Sequence, residues 1–132
     1  MSFDLIVKGG LLPDGRQADI AIAKGRIAAV EPAITAEAAQ VIDATGKLVS
    51  QPLIDCHFHM DATLSYGTPR VNASGTLLEG IALWGELKQL QSREDIVARA
   101  LDYCRQAMGR GVLAIRSHVD VTDPSFRTVE AL

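Results

Sequence analysis

From Pro52 onward the sequence runs strand, helix, helix, strand, and this order constrains the fold more than any other feature because it points to an α/β architecture. Leu53 to His59 reads as a strand in which Asp55, His57 and His59 share one face by the two-residue period. A loop from Met60 to about Ala73 carries Gly67, Pro69 and Asn72, and Thr76-Leu77-Leu78-Glu79 has the spacing of a capping box. A helix is expected next, with Leu77, Ile81, Trp84, Leu87 and Leu90 at helical spacing as its core stripe. Ser92-Arg93-Glu94-Asp95 starts a second helix with Val97, Leu101, Cys104 and Met108 on one stripe, ended by Gly109 and Gly111. Val112 to Val121 reads as a second buried strand, with Ala114, Arg116, His118 and Asp120 on one face. A last helix is expected from about Pro124.

The first fifty residues differ in kind. Phe3, Leu5 and Val7 alternate with Asp4, Ile6 and Lys8 up to Gly9-Gly10 and the turn-forming Pro13-Asp14-Gly15. Asp19 to Val30 reads as a β-hairpin bent at Lys24-Gly25. Ala33 to Ala39 could supply a helical turn, and Val41-Ile42 and Leu48-Val49 flank a turn at Gly46. The expected organisation is a small β-sandwich unit over residues 1–51 and a separate α/β unit over 52–132.

Composition narrows the function. With 132 residues, 13 Lys+Arg against 16 Asp+Glu and 48% hydrophobic residues, the chain has the make-up of an ordinary soluble globular protein. A net charge of −3 without a basic cluster argues against a nucleic-acid surface, and a small-molecule ligand is expected instead. Cys56 and Cys104 lack C-x-x-C spacing, which suggests neither a disulfide framework nor a zinc ribbon and fits a reducing cytoplasm. No apolar run approaches the roughly 18 residues of a membrane span, and the N-terminus has no export signal.

The strongest chemical signal is His57-Phe58-His59. Residues i and i+2 of a strand point the same way, so two imidazoles can converge on one divalent metal at about 2.0–2.1 Å, while Phe58 turns to the packed side. Strand parity turns Cys56 away from both histidines, toward the core. Asp61 either caps the loop or bonds to a ligand histidine. Arg116, His118 and Asp120 form either a buried polar network bracing the strand end or a support for the site and its substrate. His118 ranks below His57 and His59 as a metal ligand.

These residues resemble the start of the amidohydrolase superfamily, in which H-x-H closes the first barrel strand. The likeness is greatest to the bacterial cytosine deaminases and is carried by Asp61-Ala62-Thr63, Gly67-Thr68-Pro69, Asn72 to Ile81, Trp84, Lys88 and Arg116 to Val121. The resemblance implies that His57 and His59 are the first two ligands of one divalent metal, iron or zinc, and that Leu77 lines a pyrimidine pocket. It implies hydrolysis of cytosine to uracil and ammonia, with isocytosine and ammelide-type rings as alternative substrates, and a homo-oligomer at full length. It also implies that the third histidine ligand, a metal-ligand aspartate and a proton-shuttling glutamate lie on later strands. A (β/α)₈ barrel takes about 250 residues, so residues 52–132 are expected to form only an incomplete barrel start, inactive alone or a non-catalytic module.

Overall fold

A computed structural model describes residues 2–132, which divide into two compact units, 2–51 and 52–132. In the first, β1 (Phe3–Leu11) pairs antiparallel with β2 (Gln17–Ala23) and parallel with β4 (Ala38–Asp43), and β3 (Arg26–Glu31) extends the β2 edge. The hairpin turn falls at Lys24 and Gly25, both with positive φ, as a two-residue turn between twisted strands requires. Ile6 and Ala21, both fully buried, pack with Ile34 as the core of this unit.

Two expectations change here. The strands form a single sheet in the order β3-β2-β1-β4, because β1 hydrogen-bonds on both edges, and Ile27, Val41 and Leu48 are left exposed. A two-layer sandwich is therefore not formed within this unit. Ala33 to Ala39 contains no helical turn; the N–H of Ile34 donates instead to the buried carboxylate of Asp19, and β4 begins at Ala38.

In the second unit β5 (Leu53–Phe58) and β6 (Val112–Ser117) pair in parallel. Parallel strands need a long crossover. It is supplied by a 3-10 turn (Met60–Ala62), α1 (Leu77–Leu90) and α2 (Arg93–Met108). This is one strand-helix-helix-strand unit of a mixed α/β fold, and two strands do not close a barrel. Thr76 caps α1 by accepting the N–H of Glu79, but the Glu79 carboxylate accepts from Ser74 and Arg70, so only half of the expected capping box forms. Those bonds lower the Glu79 pKa to about 2, those from Ser74 first.

Ser92 makes the full reciprocal box with Asp95 at the start of α2. Ser92→Ala is expected to cost about 1 kcal/mol, read as a lower midpoint in chemical denaturation, whereas Ser92→Asp should restore most of it.

The buried face of α2 is Ile96, Ala100 and Ala107, and Leu101 and Met108 of the expected stripe are half-exposed. On α1 only Leu87 is buried, and Leu77, Ile81 and Leu90 are exposed. Nor is the second strand as long or as buried as expected. It ends at Ser117: the N–H of His118 makes the last bond to β5, onto the Phe58 carbonyl, and that of Asp120 turns to the side chain of Asp61. Leu113 stays 62% exposed. The last helix, α3 (Arg127–Ala131), starts later than Pro124 because Asp123 ties up Ser125 and Phe126 adopts a left-handed backbone.

Candidate metal centre

The site gathers where β5 and β6 end side by side. Phe58 leaves β5 toward the helices and stacks on Tyr103 of α2, with ring centroids 4.1 Å apart. The alternation that turns Phe58 toward α2 leaves its two neighbours together: the rings of His57 and His59 lie 5.6 Å apart. Two imidazoles bound to one ion at about 2.1 Å place their centroids no more than roughly 6.5 Å apart. The observed spacing meets that condition, and imidazole nitrogens suit zinc and iron alike.

His118 joins this pair as a packing partner. Its ring stacks on His57 at 4.1 Å with planes 20° apart and lies 5.8 Å from His59. Stacked rings aim their in-plane lone pairs side by side rather than at a common point, so His118 braces His57 from behind. Its Nδ1 is buried and has no hydrogen-bond partner among the described residues. Among those residues no group of three or more histidine, cysteine or carboxylate side chains is arranged to hold a metal. The paired histidines thus fit as part of a donor set and not as a whole one.

Asp61 holds the loop and only approaches the histidine pair. Its side chain is 1% exposed; Oδ2 accepts the N–H of Asp120 at 2.9 Å, joining the loops after the two strands. Oδ1 stands 3.8 Å from Nδ1 of His59. Arg99 of α2 fixes this loop from below, donating to the carbonyls of Asp61 and Thr63 and to the side chain of Gln91.

Asp120 lies beyond β6 rather than on it. Its carboxylate accepts from Lys88 Nζ at 2.7 Å and from Trp84 Nε1 at 2.6 Å, both on α1. Lys88, then Thr122 and Trp84, hold its pKa well below the usual carboxylate range. Sequence reasoning missed the part played by Lys88 and Trp84. Their four-residue spacing on one helix face was visible, but the partner lies 32 and 36 residues away.

The remaining candidates stand apart. Arg116 is exposed on β6 and has no ion-pair partner among the described residues. Leu77, the first residue of α1, is 79% exposed. It does not line the open cleft of about 190 Å³ formed by Tyr66, Arg70, Asn72, Trp84 and Leu87. Cys56, expected in the core, is exposed, at the point where the pairing of β5 with β6 loses its regular register between Asp55 and Phe58. No helix is long and apolar enough to cross a membrane.

The chain is similar to several known proteins. The chain is 36% identical to 5-methylcytosine deaminase from Klebsiella pneumoniae, solved with phosphonocytosine bound, with a TM-score of 0.84 over 96% of this chain and 32% of that one. It is 31% identical to the N-isopropylammelide isopropyl amidohydrolase of Pseudomonas sp. (strain ADP), over 98% of this chain and 34% of that protein. It is 42% identical to adenine deaminase 2 of Agrobacterium fabrum over 60% of this chain and 14% of that protein. The chain therefore spans about a third or less of the length of these relatives. The profile of the amidohydrolase family matches residues 40–128, more than half of the chain, and the chain belongs to that family.

Proposed function

We propose that this chain supplies two of the metal ligands, His57 and His59, of a hydrolase that removes an amino group from a pyrimidine-type ring, cytosine or a close analogue. The observation that carries the reading is the pair of imidazoles side by side at the end of a parallel strand. Its support from outside is the likeness to a deaminase solved with a cytosine analogue. When bound, a zinc or iron ion would lower the pKa of a water and make it a nucleophile at neutral pH.

The chain's own residues have separate tasks in this proposal. His57 and His59 donate ring nitrogens, and His118 keeps His57 from turning by stacking against it. Asp61 faces Nδ1 of His59 and holds that ring in the tautomer whose other nitrogen is free to ligate. Asp120 anchors the loop of Asp61, Arg116 faces outward toward substrate, and Leu77 offers an apolar edge to the ring. In the reaction water adds to the ring carbon that bears the amino group, the C–N bond breaks, ammonia leaves and the ring keeps a carbonyl. Further metal donors and the proton-shuttling carboxylate would come from chain outside these 132 residues. Two free cysteines suit a reducing cytoplasm as the place of action.

A second reading changes the substrate to an N-alkylated aminotriazine, and the match to the isopropylammelide hydrolase over 98% of this chain favours it. The test is amine release by the protein of the open reading frame encoding this chain, supplied with Zn²⁺ or Fe²⁺, from cytosine, isocytosine and N-isopropylammelide. The highest kcat/KM on cytosine, lost on chelation and restored by metal, is expected. Preference for N-isopropylammelide would select the second reading. Turnover unaffected by removing the metal would overturn both.

A further inference from the structure

We propose that Lys88 of α1 is a positioning residue for the metal site and acts on His59 through Asp120 and Asp61; this deepens the reading above and rests on His59 being a ligand. The path runs over hydrogen bonds from Lys88 to Asp61 and ends in a 3.8 Å approach to His59. Lys88 Nζ donates to Asp120 Oδ2 at 2.7 Å and to Thr122 Oγ1 at 2.9 Å. Trp84, one turn earlier, donates Nε1 to the same Asp120 oxygen. The N–H of Asp120 then donates to Asp61 Oδ2, while Asp61 Oδ1 accepts the N–H of Ala62 at 3.0 Å and stands 3.8 Å from His59 Nδ1.

Each step fixes one degree of freedom of the next. The Lys88 and Asp120 side chains are only 13% and 20% exposed, so their ion pair is poorly screened and holds one geometry. With its carboxylate clamped to α1, Asp120 presents its backbone N–H in one direction. That N–H stops the Asp61 carboxylate from rotating about its terminal bond. A carboxylate so fixed can take the second N–H of a metal-bound imidazole, the arrangement that orients a ligand ring and raises its basicity.

The same contacts tie α1 to the end of β6. Because Leu77 begins this helix, the link couples the proposed ring-contacting edge to the proposed metal ligand. A helix that needed only attachment could have been held by apolar packing, yet just one of its side chains, Leu87, is buried.

The test is Zn²⁺ affinity, by competition with a chromophoric chelator, in the protein of the encoding reading frame. The wild type, Lys88→Met, Lys88→Arg and Trp84→Phe are compared, with thermal melts of each metal-free protein. The expected result for Lys88→Met is an affinity about 10-fold weaker or more, the range for loss of a group that orients a ligand. Lys88→Arg should stay near the wild type. Trp84→Phe, which removes one hydrogen bond and keeps a ring, should weaken affinity by a smaller factor and serves if Lys88→Met does not fold. Unchanged affinity in Lys88→Met, or in Trp84→Phe where Lys88→Met fails to fold, would overturn the proposal, as would an equal loss in Lys88→Arg. A wild type that binds no Zn²⁺ would overturn the ligand assignment itself, a different result from a wild type that binds while the variants match it.

Discussion

His57→Ala and His59→Ala are each expected to lower kcat/KM by roughly a thousand-fold, about 4 kcal/mol of transition-state stabilisation, in the protein of the encoding reading frame. The size follows from what an imidazole does for an ion. With one donor gone the ion is held weakly or in the wrong geometry, and water loses its activation. The two substitutions should not add, because either one alone empties or distorts the same site. Cys56→Ala, one residue away, supplies the contrast. Its side chain is exposed and takes no part in the contacts among the histidine rings, so turnover within a few-fold of the wild type is expected. Steady-state kinetics with metal analysis and a far-UV CD spectrum of each variant separate a lost ligand from a lost fold. If His57→Ala kept wild-type turnover at full metal occupancy, the ligand assignment would be wrong.

The largest effect on stability is expected at Asp19 in the N-terminal unit. Its side chain is buried, and its two oxygens accept the backbone N–H groups of Ile34 at 2.9 Å and Gly9 at 2.8 Å. Gly9 sits at an irregularity in the β1–β2 register with φ of +68°, where a Cβ would come within 2.9 Å of Thr45 Oγ1. Asp19 therefore holds both the bend in β1 and the segment that brings Ile34 onto the core. Asp19→Ala strands two backbone donors and should cost about 3 kcal/mol, measured by chemical denaturation at pH 7.

The hydrogen bond from Ile34, then that from Gly9, lowers the Asp19 pKa below its ordinary value of 3.8. Because the folded pKa is the lower one, this contribution is complete above about pH 5 and fades as pH falls toward and through the folded pKa. Asp19→Asn should thus flatten the loss of stability between pH 5 and pH 3. A loss as steep as that of the wild type would place the acid sensitivity elsewhere.

Much of the second unit was legible because its signals are local. Thr76 and Ser92 mark helix starts through side chains that reach only three residues ahead, and the structure has α1 and α2 beginning one residue after each. The period of two predicts that Phe58 turns from its neighbours, and Phe58 does stack on α2 while the two histidine rings draw together. What stayed hidden depends on distant partners. Nothing in the run Val112 to Val121 marks the break after Ser117, because its cause is a carboxylate at Asp61. The stripe of larger side chains on α2 predicts an inner face of Val97, Leu101, Cys104 and Met108, but the face that is buried runs through Ile96, Ala100 and Ala107. The clamp of Lys88 and Trp84 on Asp120 joins residues more than thirty positions apart, beyond the reach of any periodicity.

The central claim is that His57 and His59 share one metal ion, and anomalous X-ray scattering from crystals of the metal-loaded protein tests it most directly. Data collected on either side of the zinc and iron absorption edges would locate the ion and identify it. A single anomalous peak about 2.1 Å from a ring nitrogen of His57 and of His59 is the predicted result. A peak bound elsewhere, with both imidazoles unligated, would contradict the account.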